Sequence, residues 1–212
     1  MQEPEILPES VEPAEGRRGR RMLLLLALVA LLPALVAGYL FVTDWRPSGK
    51  SIQYGELLTP PRSLPEVQLK DAGGQTVQLA ALRSRWLLLT RARGSCTQVC
   101  RKNLWTMQQV RLAQGKDMRR VERVLILDNP RTINPRQLER DYPGTQVLVG
   151  NAATLQSLRQ VLDEPGPSSD AGRDRIYLID PLGNLVLRYA PGADPSGIRK
   201  DLARLLRLSQ IG

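Results

Sequence analysis

The hydrophobic pattern divides the chain into one long apolar segment and a region where short apolar runs alternate with polar stretches. No charged residue occurs from Met22 to Val42, and as a helix this segment is about 31 Å long, enough to cross the apolar core of a bilayer. A cleaved signal peptide is the alternative, but the segment is long for one and stays apolar to its end. We therefore predict a retained transmembrane anchor over residues 22–43.

Charges before the anchor predict its orientation. Four arginines directly precede it: Arg17, Arg18, Arg20 and Arg21. The positive-inside rule then places the N-terminus in the cytoplasm and everything after the anchor across the membrane. Residues 1–16 carry acids and no base, unlike a mitochondrial transit peptide. We predict a single-pass protein of the bacterial inner membrane with a periplasmic C-terminal domain.

After the anchor, apolar runs typical of buried strands alternate with amphipathic stretches typical of helices. The pattern predicts a hairpin over residues 67–79, strands over 86–90, 121–127 and 146–149, helices over 96–114, 135–141 and 152–162, a second hairpin over 175–189 and a final helix that begins at residue 195. Strands and helices that alternate in this order favour an α/β fold with a mixed sheet flanked by helices.

Composition predicts where this domain begins. Residues 1–21 are polar and contain proline and glutamate, which favours a disordered cytoplasmic tail. Residues 44–65 contain four prolines and are predicted to form a stiff, extended linker. The globular periplasmic domain is therefore predicted over residues 66–212, a length that suits one domain with a real core.

The chain is basic, with a formal net charge of +9 and a sequence pI of about 10.1. A basic protein can bind nucleic acid, but a periplasmic domain meets none, so we exclude that class of partner. Anionic lipid of the inner membrane or an acidic partner protein suits the charge better. The basic residues are scattered along the chain, as on an ordinary solvated surface.

The candidate chemistry rests on two cysteines, Cys96 and Cys100, in a chain without histidine. They follow the predicted strand 86–90 and begin the predicted helix, and a CxxxC at such a junction indicates thiol redox chemistry or soft-metal binding. On a helix, residues i and i+4 lie about 6 Å apart, which a disulfide can span. A plain structural disulfide is the alternative, although so short a loop constrains the unfolded chain little.

The two cysteines are predicted to differ in reactivity. Cys96 lies near the predicted helix N-terminus, where unpaired N–H groups stabilise a thiolate. Four basic residues nearby in sequence act in the same direction: Arg91, Arg93, Arg101 and Lys102. Cys100 is predicted to be more buried and to act as the resolving thiol. Met107 falls on the same helical face and is interpreted as a core residue rather than a thioether ligand.

A strand followed by a CxxxC that opens a helix, and then by a hairpin and a last helix, is the thioredoxin-like arrangement. Within it, the hairpin 67–79, the strand 86–90, the CxxxC and the run Ile176–Gly183 resemble the SCO/SenC proteins, over about residues 50–210. The members of that family are membrane-anchored, thioredoxin-like factors that deliver copper to, or reduce the cysteines of, cytochrome c oxidase subunit II.

The resemblance assigns roles to both cysteines but departs from the family at two positions. Cys96 and Cys100 match the family's thiols, so they are the predicted catalytic pair and the predicted ligands of Cu(I). Arg101 stands where the family has a proline, and Gly172 matches its copper-binding histidine. The chain is therefore similar to a histidine-lacking sister group, and it is expected to bind Cu(II), which favours imidazole, poorly.

These features predict a membrane-anchored periplasmic factor that performs thiol–disulfide exchange during cytochrome c oxidase assembly. The predicted partners are an oxidase subunit or its copper chaperone, together with inner-membrane lipid. Two alternatives remain open at this point. One is a Cu(I) carrier that uses two thiolates only, and the other is a non-catalytic interaction module with a structural disulfide.

Overall fold

The computed structural model describes residues 16–42, 53–93, 95–128, 133–162 and 174–209. Contacts group the chain into two units, residues 1–50 and residues 51–212. The first unit contains helix α1, and the second contains a sheet with helices on its faces.

Helix α1 spans Gly16–Val42 and contains Pro33. Its segment Gly19–Leu40 has a mean hydropathy of 2.6, and by length and composition it is able to cross a membrane. The prediction of disorder up to residue 21 is wrong for residues 16–21, which belong to α1. Arginine favours helix, so the basic residues there continue the helix instead of ending it. Residues 1–15 of the predicted tail lie outside the described part of the chain.

Within the described residues, the second unit forms one eight-stranded sheet of order β1-β8-β7-β4-β5-β6-β2-β3. The strands are β1 Glu56–Ser63, β2 Gln68–Asp71, β3 Thr76–Gln78, β4 Trp86–Arg93, β5 Val121–Asp128, β6 Thr145–Gly150, β7 Ile176–Ile179 and β8 Asn184–Tyr189. The helices are α2 Gln98–Leu112, α3 Pro135–Asp141, α4 Gln156–Leu162 and α5 Pro195–Leu208. Short 3-10 helices cover Leu79–Leu82 and Gly115–Arg120.

The sheet is mixed, as predicted. Strands β4, β5 and β6 are parallel neighbours, so their carboxyl ends meet at one edge of the sheet. Strand β7 is antiparallel to β4, with Thr90 opposite Ile176, and it therefore begins at that same edge. The segment between β4 and α2, which carries Cys96, leaves the sheet from this edge, and Cys100 follows in the first turn of α2.

Strand alternation builds a core on each face of the sheet. In β4, Leu88 and Ala92 contribute to the core that also holds residues of α2 and α5, whereas Leu87 and Leu89 contribute to the core beneath α4. Met107 of α2 is fully buried in the first core, so its predicted role as a core residue is confirmed.

The stretch predicted to be linker includes a strand. Residues 56–63 form β1, which pairs with β8 and lies at the outer edge of the sheet. Pro60 and Pro61 are compatible with this position because an edge strand needs ladder hydrogen bonds on one side only. The pairing shifts register between Leu57 and Arg62, around the two prolines. The linker prediction, which rested on proline content, is therefore wrong for residues 56–63.

A buried carboxylate ties the start of the second unit to its last helix. Asp201 of α5 is 3 % exposed, and its Oδ2 accepts hydrogen bonds from the backbone N–H groups of Tyr54 and Gly55, each at 2.9 Å. The same oxygen accepts the Tyr189 hydroxyl at 3.2 Å. Burial, and then the neighbouring Asp201 charge, raise the pKa of Tyr189 well above its usual range.

Candidate thiol–disulfide site

The two predicted site residues are brought together and joined. Cys96 and Cys100 form a disulfide with Cα atoms 5.2 Å apart. Cys96 is 6 % exposed and Cys100 is 1 % exposed, so Cys96 is the more accessible of the two. The order of burial agrees with the expectation that Cys100 is the inner residue.

The helix starts later than predicted, and this changes the setting of Cys96. Helix α2 begins at Gln98, with Thr97 as the N-cap residue. The Thr97 Oγ1 accepts a hydrogen bond from the Cys100 backbone N–H at 3.2 Å, as a threonine cap does at the third helical position. Cys96 therefore lies just before the cap, and only Cys100 belongs to the helix. The prediction that both cysteines share one helical face is wrong.

The disulfide packs against the core on the α2 side of the sheet. The same core cluster includes residues of three elements that meet at this end of the sheet: Ala92 at the end of β4, Leu104 in α2 and Ile176 at the start of β7. The residues that flank Cys96, Ser95 and Thr97, are exposed. The sulfur atoms thus lie just beneath the surface at the edge where the parallel strands end.

The four predicted basic neighbours differ in exposure and in position. Arg101 and Lys102 follow Cys100 in α2 and are exposed, and Arg93 is exposed at the end of β4, where it has the same strand parity as Arg91. Arg91 is only 4 % exposed, and in the alternation of β4 it has the same parity as Leu87 and Leu89. It therefore lies on the opposite face from the cysteines. The expectation that Arg91 acts directly on the Cys96 thiolate is wrong for this geometric reason.

Sequence reasoning missed a polar link beside the cysteines. Asn103, one turn beyond Cys100, is buried, and its Nδ2 donates to the Asp174 carbonyl at 2.7 Å. The Thr90 hydroxyl of β4 donates to the Arg175 carbonyl at 2.9 Å. These bonds hold the chain before β7 against α2 and β4. A lone asparagine on the apolar face of α2 was the available signal in the sequence.

The donor atoms of the site suit a soft ion at most. Among the described residues, no group of three or more His, Cys, Asp or Glu side chains is placed to hold a metal. Gly172, which matches the family's histidine, lies outside the described residues, and the chain contains no histidine. Two thiolates fit Cu(I), which accepts few soft ligands, and do not provide the nitrogen ligands that Cu(II) prefers.

Two sequence comparisons identify relatives of this chain. The family described as transmembrane-like, thioredoxin-like, C-terminal domain matches residues 86–209. A protein of Stutzerimonas stutzeri named "Putative copper-binding protein" is 30% identical over 152 residues, which cover 69% of this chain and 74% of that protein.

Solved structures share the fold. ScoI of Bradyrhizobium japonicum with copper bound is 23% identical, with a TM-score of 0.53, and the match covers 67% of this chain and 98% of ScoI. Apo Sco1 of Thermus thermophilus is 20% identical, with a TM-score of 0.53 and coverage of 76% and 100%. The thioredoxin domain of a thiol-disulfide oxidoreductase from Bacteroides vulgatus is 15% identical, with a TM-score of 0.52 and coverage of 68% and 95%. The predicted thioredoxin-like fold and the resemblance to SCO/SenC proteins are confirmed.

Proposed function

Since this chain belongs to the family of transmembrane-like, thioredoxin-like C-terminal domains, we propose that it is a membrane-anchored thiol–disulfide exchange factor that works through Cys96 and Cys100. The observation that carries the proposal is the disulfide at the start of α2, with the more accessible cysteine outside the helix and the less accessible one inside it. Exchange needs two sulfur atoms and a setting that stabilises a thiolate, and it needs no histidine.

The proposed step transfers two electrons from the reduced pair to a client disulfide. The Cys96 thiolate attacks one client sulfur, a mixed disulfide forms, and the other client sulfur leaves as a thiolate. Cys100 then loses its proton and attacks the Cys96 sulfur. The second client thiol is released, and the Cys96–Cys100 disulfide forms. A separate dithiol donor must reduce this disulfide before the next cycle.

The surface around the pair supports a protein client. On α2, the outward side chains of Val99 and Trp105 are 38 % and 53 % exposed, and Arg101 and Lys102 lie between them in sequence. An apolar surface with a basic rim suits a protein that carries acidic groups near its own cysteines. By analogy with the SCO/SenC proteins, the proposed client is a copper-site subunit of cytochrome c oxidase or the copper chaperone of that subunit.

Copper transport is the second candidate function, supported by the name of the Stutzerimonas stutzeri relative and by the copper in the ScoI structure. In this chain the ion would be a substrate held by the Cys96 and Cys100 thiolates alone. That donor set limits the reduced site to one Cu(I), either linear or completed by a ligand from the receiving protein.

A paired assay on the full chain in detergent separates these functions. We expect the protein to accelerate the reduction of insulin disulfides by dithiothreitol, and we expect the Cys96→Ser/Cys100→Ser variant to have no such effect. A Cu(I) titration against a competing chelator, run on the same samples, should give at most one ion per chain and no stable Cu(II) form. Copper binding without insulin reduction would overturn the exchange proposal in favour of transport. If the protein shows neither activity, the non-catalytic interaction module is the function that remains.

The proposed location is the bacterial inner membrane, with a cytoplasmic N-terminus and a periplasmic second unit. The support is the unburied apolar segment Gly19–Leu40 and the arginines at its start. Alkaline phosphatase fused after Gly212 should be active, and a reporter that folds only in the cytoplasm should be inactive at the same position. A soluble periplasmic form that begins near Tyr39 would contradict retention of the anchor.

A further inference from the structure

A basic groove lies along the last helix of the second unit. Its volume is about 470 Å³, and its walls are Tyr54, the residues that follow α2 and one side of α5. Four of its lining residues on α5 are cations: Arg199, Lys200, Arg204 and Arg207. The acidic lining residue, Asp117, already forms an ion pair with Arg120 at 3.4 Å. The groove is therefore strongly cationic.

An ordered aromatic residue forms one wall of the groove. The Lys200 Nζ lies 5.1 Å from the centre of the Tyr54 ring and donates a hydrogen bond to the Tyr54 hydroxyl at 3.1 Å. The Tyr54 backbone is fixed by its hydrogen bond to Asp201. Two exposed leucines adjoin lining residues in sequence, since Leu112 precedes Ala113 and Leu208 follows Arg207. The cationic lining thus includes one aromatic ring, and exposed apolar side chains follow or precede lining residues in the sequence.

We propose that this groove binds the acidic headgroups of phospholipids at the membrane surface. Guanidinium groups match phosphate oxygens, and tyrosine and leucine side chains next to cations suit the boundary between headgroups and acyl chains. The length of the chain supports a lipid occupant. Residues 43–52 separate α1 from the described start of the second unit, and even fully extended they reach about 40 Å at most. This inference rests on the proposed membrane anchoring and is independent of the redox chemistry.

Lipid binding in the groove leaves the cysteines accessible to a client. The groove adjoins the residues after the C-terminal end of α2, whereas Cys96 and Cys100 lie at its N-terminal end. The fifteen residues of α2 make it about 22 Å long. A domain that contacts lipid at the far end of α2 therefore holds the disulfide away from that contact.

The test measures the proximity of individual residues to lipid headgroups. The full chain, labelled with ¹⁵N, is placed in nanodiscs that contain a gadolinium-chelating lipid, with either phosphatidylcholine alone or equal parts of phosphatidylcholine and phosphatidylglycerol. We expect the amide signals of Arg199, Lys200 and Arg207 to broaden at least about fivefold more in the anionic nanodiscs, since one basic residue near an anionic surface changes association about fivefold. High salt should remove the difference.

Matched charge reversals show whether the groove itself is responsible. Arg199→Glu/Lys200→Glu/Arg207→Glu should abolish the difference between the two lipids, and the milder triple glutamine variant should reduce it. The control variant Arg93→Glu/Arg101→Glu/Lys102→Glu changes the net charge by the same amount at the cysteine end. It should preserve the difference between the two lipids. Equal broadening in both lipids, or broadening at the cysteine end, would overturn the proposal, and an acidic protein would then be the better ligand. Failure of the chain to co-elute with either nanodisc would instead refute the anchoring on which the proposal rests.

Discussion

The Cys100→Ser variant of the full chain should accumulate a mixed disulfide through Cys96, whereas the Cys96→Ser variant should accumulate almost none. With the inner sulfur removed, the complex that Cys96 forms with a client disulfide has no resolving thiol and persists. Cys96 precedes the capped N-terminus of α2 and has exposed cations around it, so its free thiol should ionise below the ordinary value of about 8.5. Cys100 is buried one turn further on.

Alkylation rates measure the same asymmetry without a client. At neutral pH, the Cys96 thiol of Cys100→Ser should react with iodoacetamide about tenfold faster than the Cys100 thiol of Cys96→Ser, because one unit in pKa changes the thiolate fraction nearly tenfold. Arg101→Gln should slow the Cys96 reaction modestly, and Lys116→Gln, far from the pair in sequence and exposed, should not. Equal rates at both cysteines across the pH range would contradict the asymmetry and favour a structural disulfide.

Replacing Asp201 with leucine should lower the free energy of unfolding of the second unit by about 3–5 kcal/mol, because three donors lose their shared acceptor in a buried place. Asp201→Asn keeps one acceptor oxygen and a similar shape, so its loss should be smaller, about 1–2 kcal/mol. Urea titration followed by near-ultraviolet circular dichroism measures both. The surface variant Asp141→Asn is the matched control and should change stability by less than about 0.5 kcal/mol.

Tyr189→Phe separates the hydroxyl from the two backbone contacts of Asp201. The variant should lower the free energy of unfolding by about 1 kcal/mol at neutral pH, which is the contribution of one hydrogen bond. The raised pKa of Tyr189 adds a pH signature. The folded chain keeps this phenol protonated while the unfolded chain ionises it, so its contribution is present below about pH 10 and is lost as the pH rises further. The variant should lose less stability than the parent over that alkaline range. An Asp201→Leu variant as stable as the parent would contradict the role of Asp201 as a stabilising acceptor for these three hydrogen bonds.

The sequence predicted those parts of the fold that depend on local pattern. The central strands β4 and β5 each contain a run of four apolar residues, and the start of α3 is marked by Asn134 before Pro135, so these three elements were located correctly. Strand β1 was missed because its prolines lower strand propensity, and only its edge position beside β8, a contact across more than 120 residues, makes them acceptable.

The site was predicted in part for the same reason. Spacing alone was enough to pair Cys96 with Cys100. The start of α2 at Gln98 depends on the Thr97 cap. A threonine is compatible with both a cap position and a helix interior, so the sequence alone does not show which position Thr97 takes. The burial of Arg91 and the bond from Asn103 to Asp174 depend on which face of the sheet each residue meets, and that information is present only in the tertiary structure.

The prolines of β1 also bear on how copies of this protein behave when the proposed anchor confines many of them to one membrane. Confinement to a surface raises the frequency of encounters, and an open sheet edge invites another chain to add a strand and begin aggregation. Pro60 and Pro61 have no N–H to donate and interrupt the donors of the edge strand β1, and the other edge is the three-residue strand β3. A colliding neighbour therefore finds no continuous hydrogen-bonding ladder on either side, and crowded copies can meet and separate without fusing their sheets.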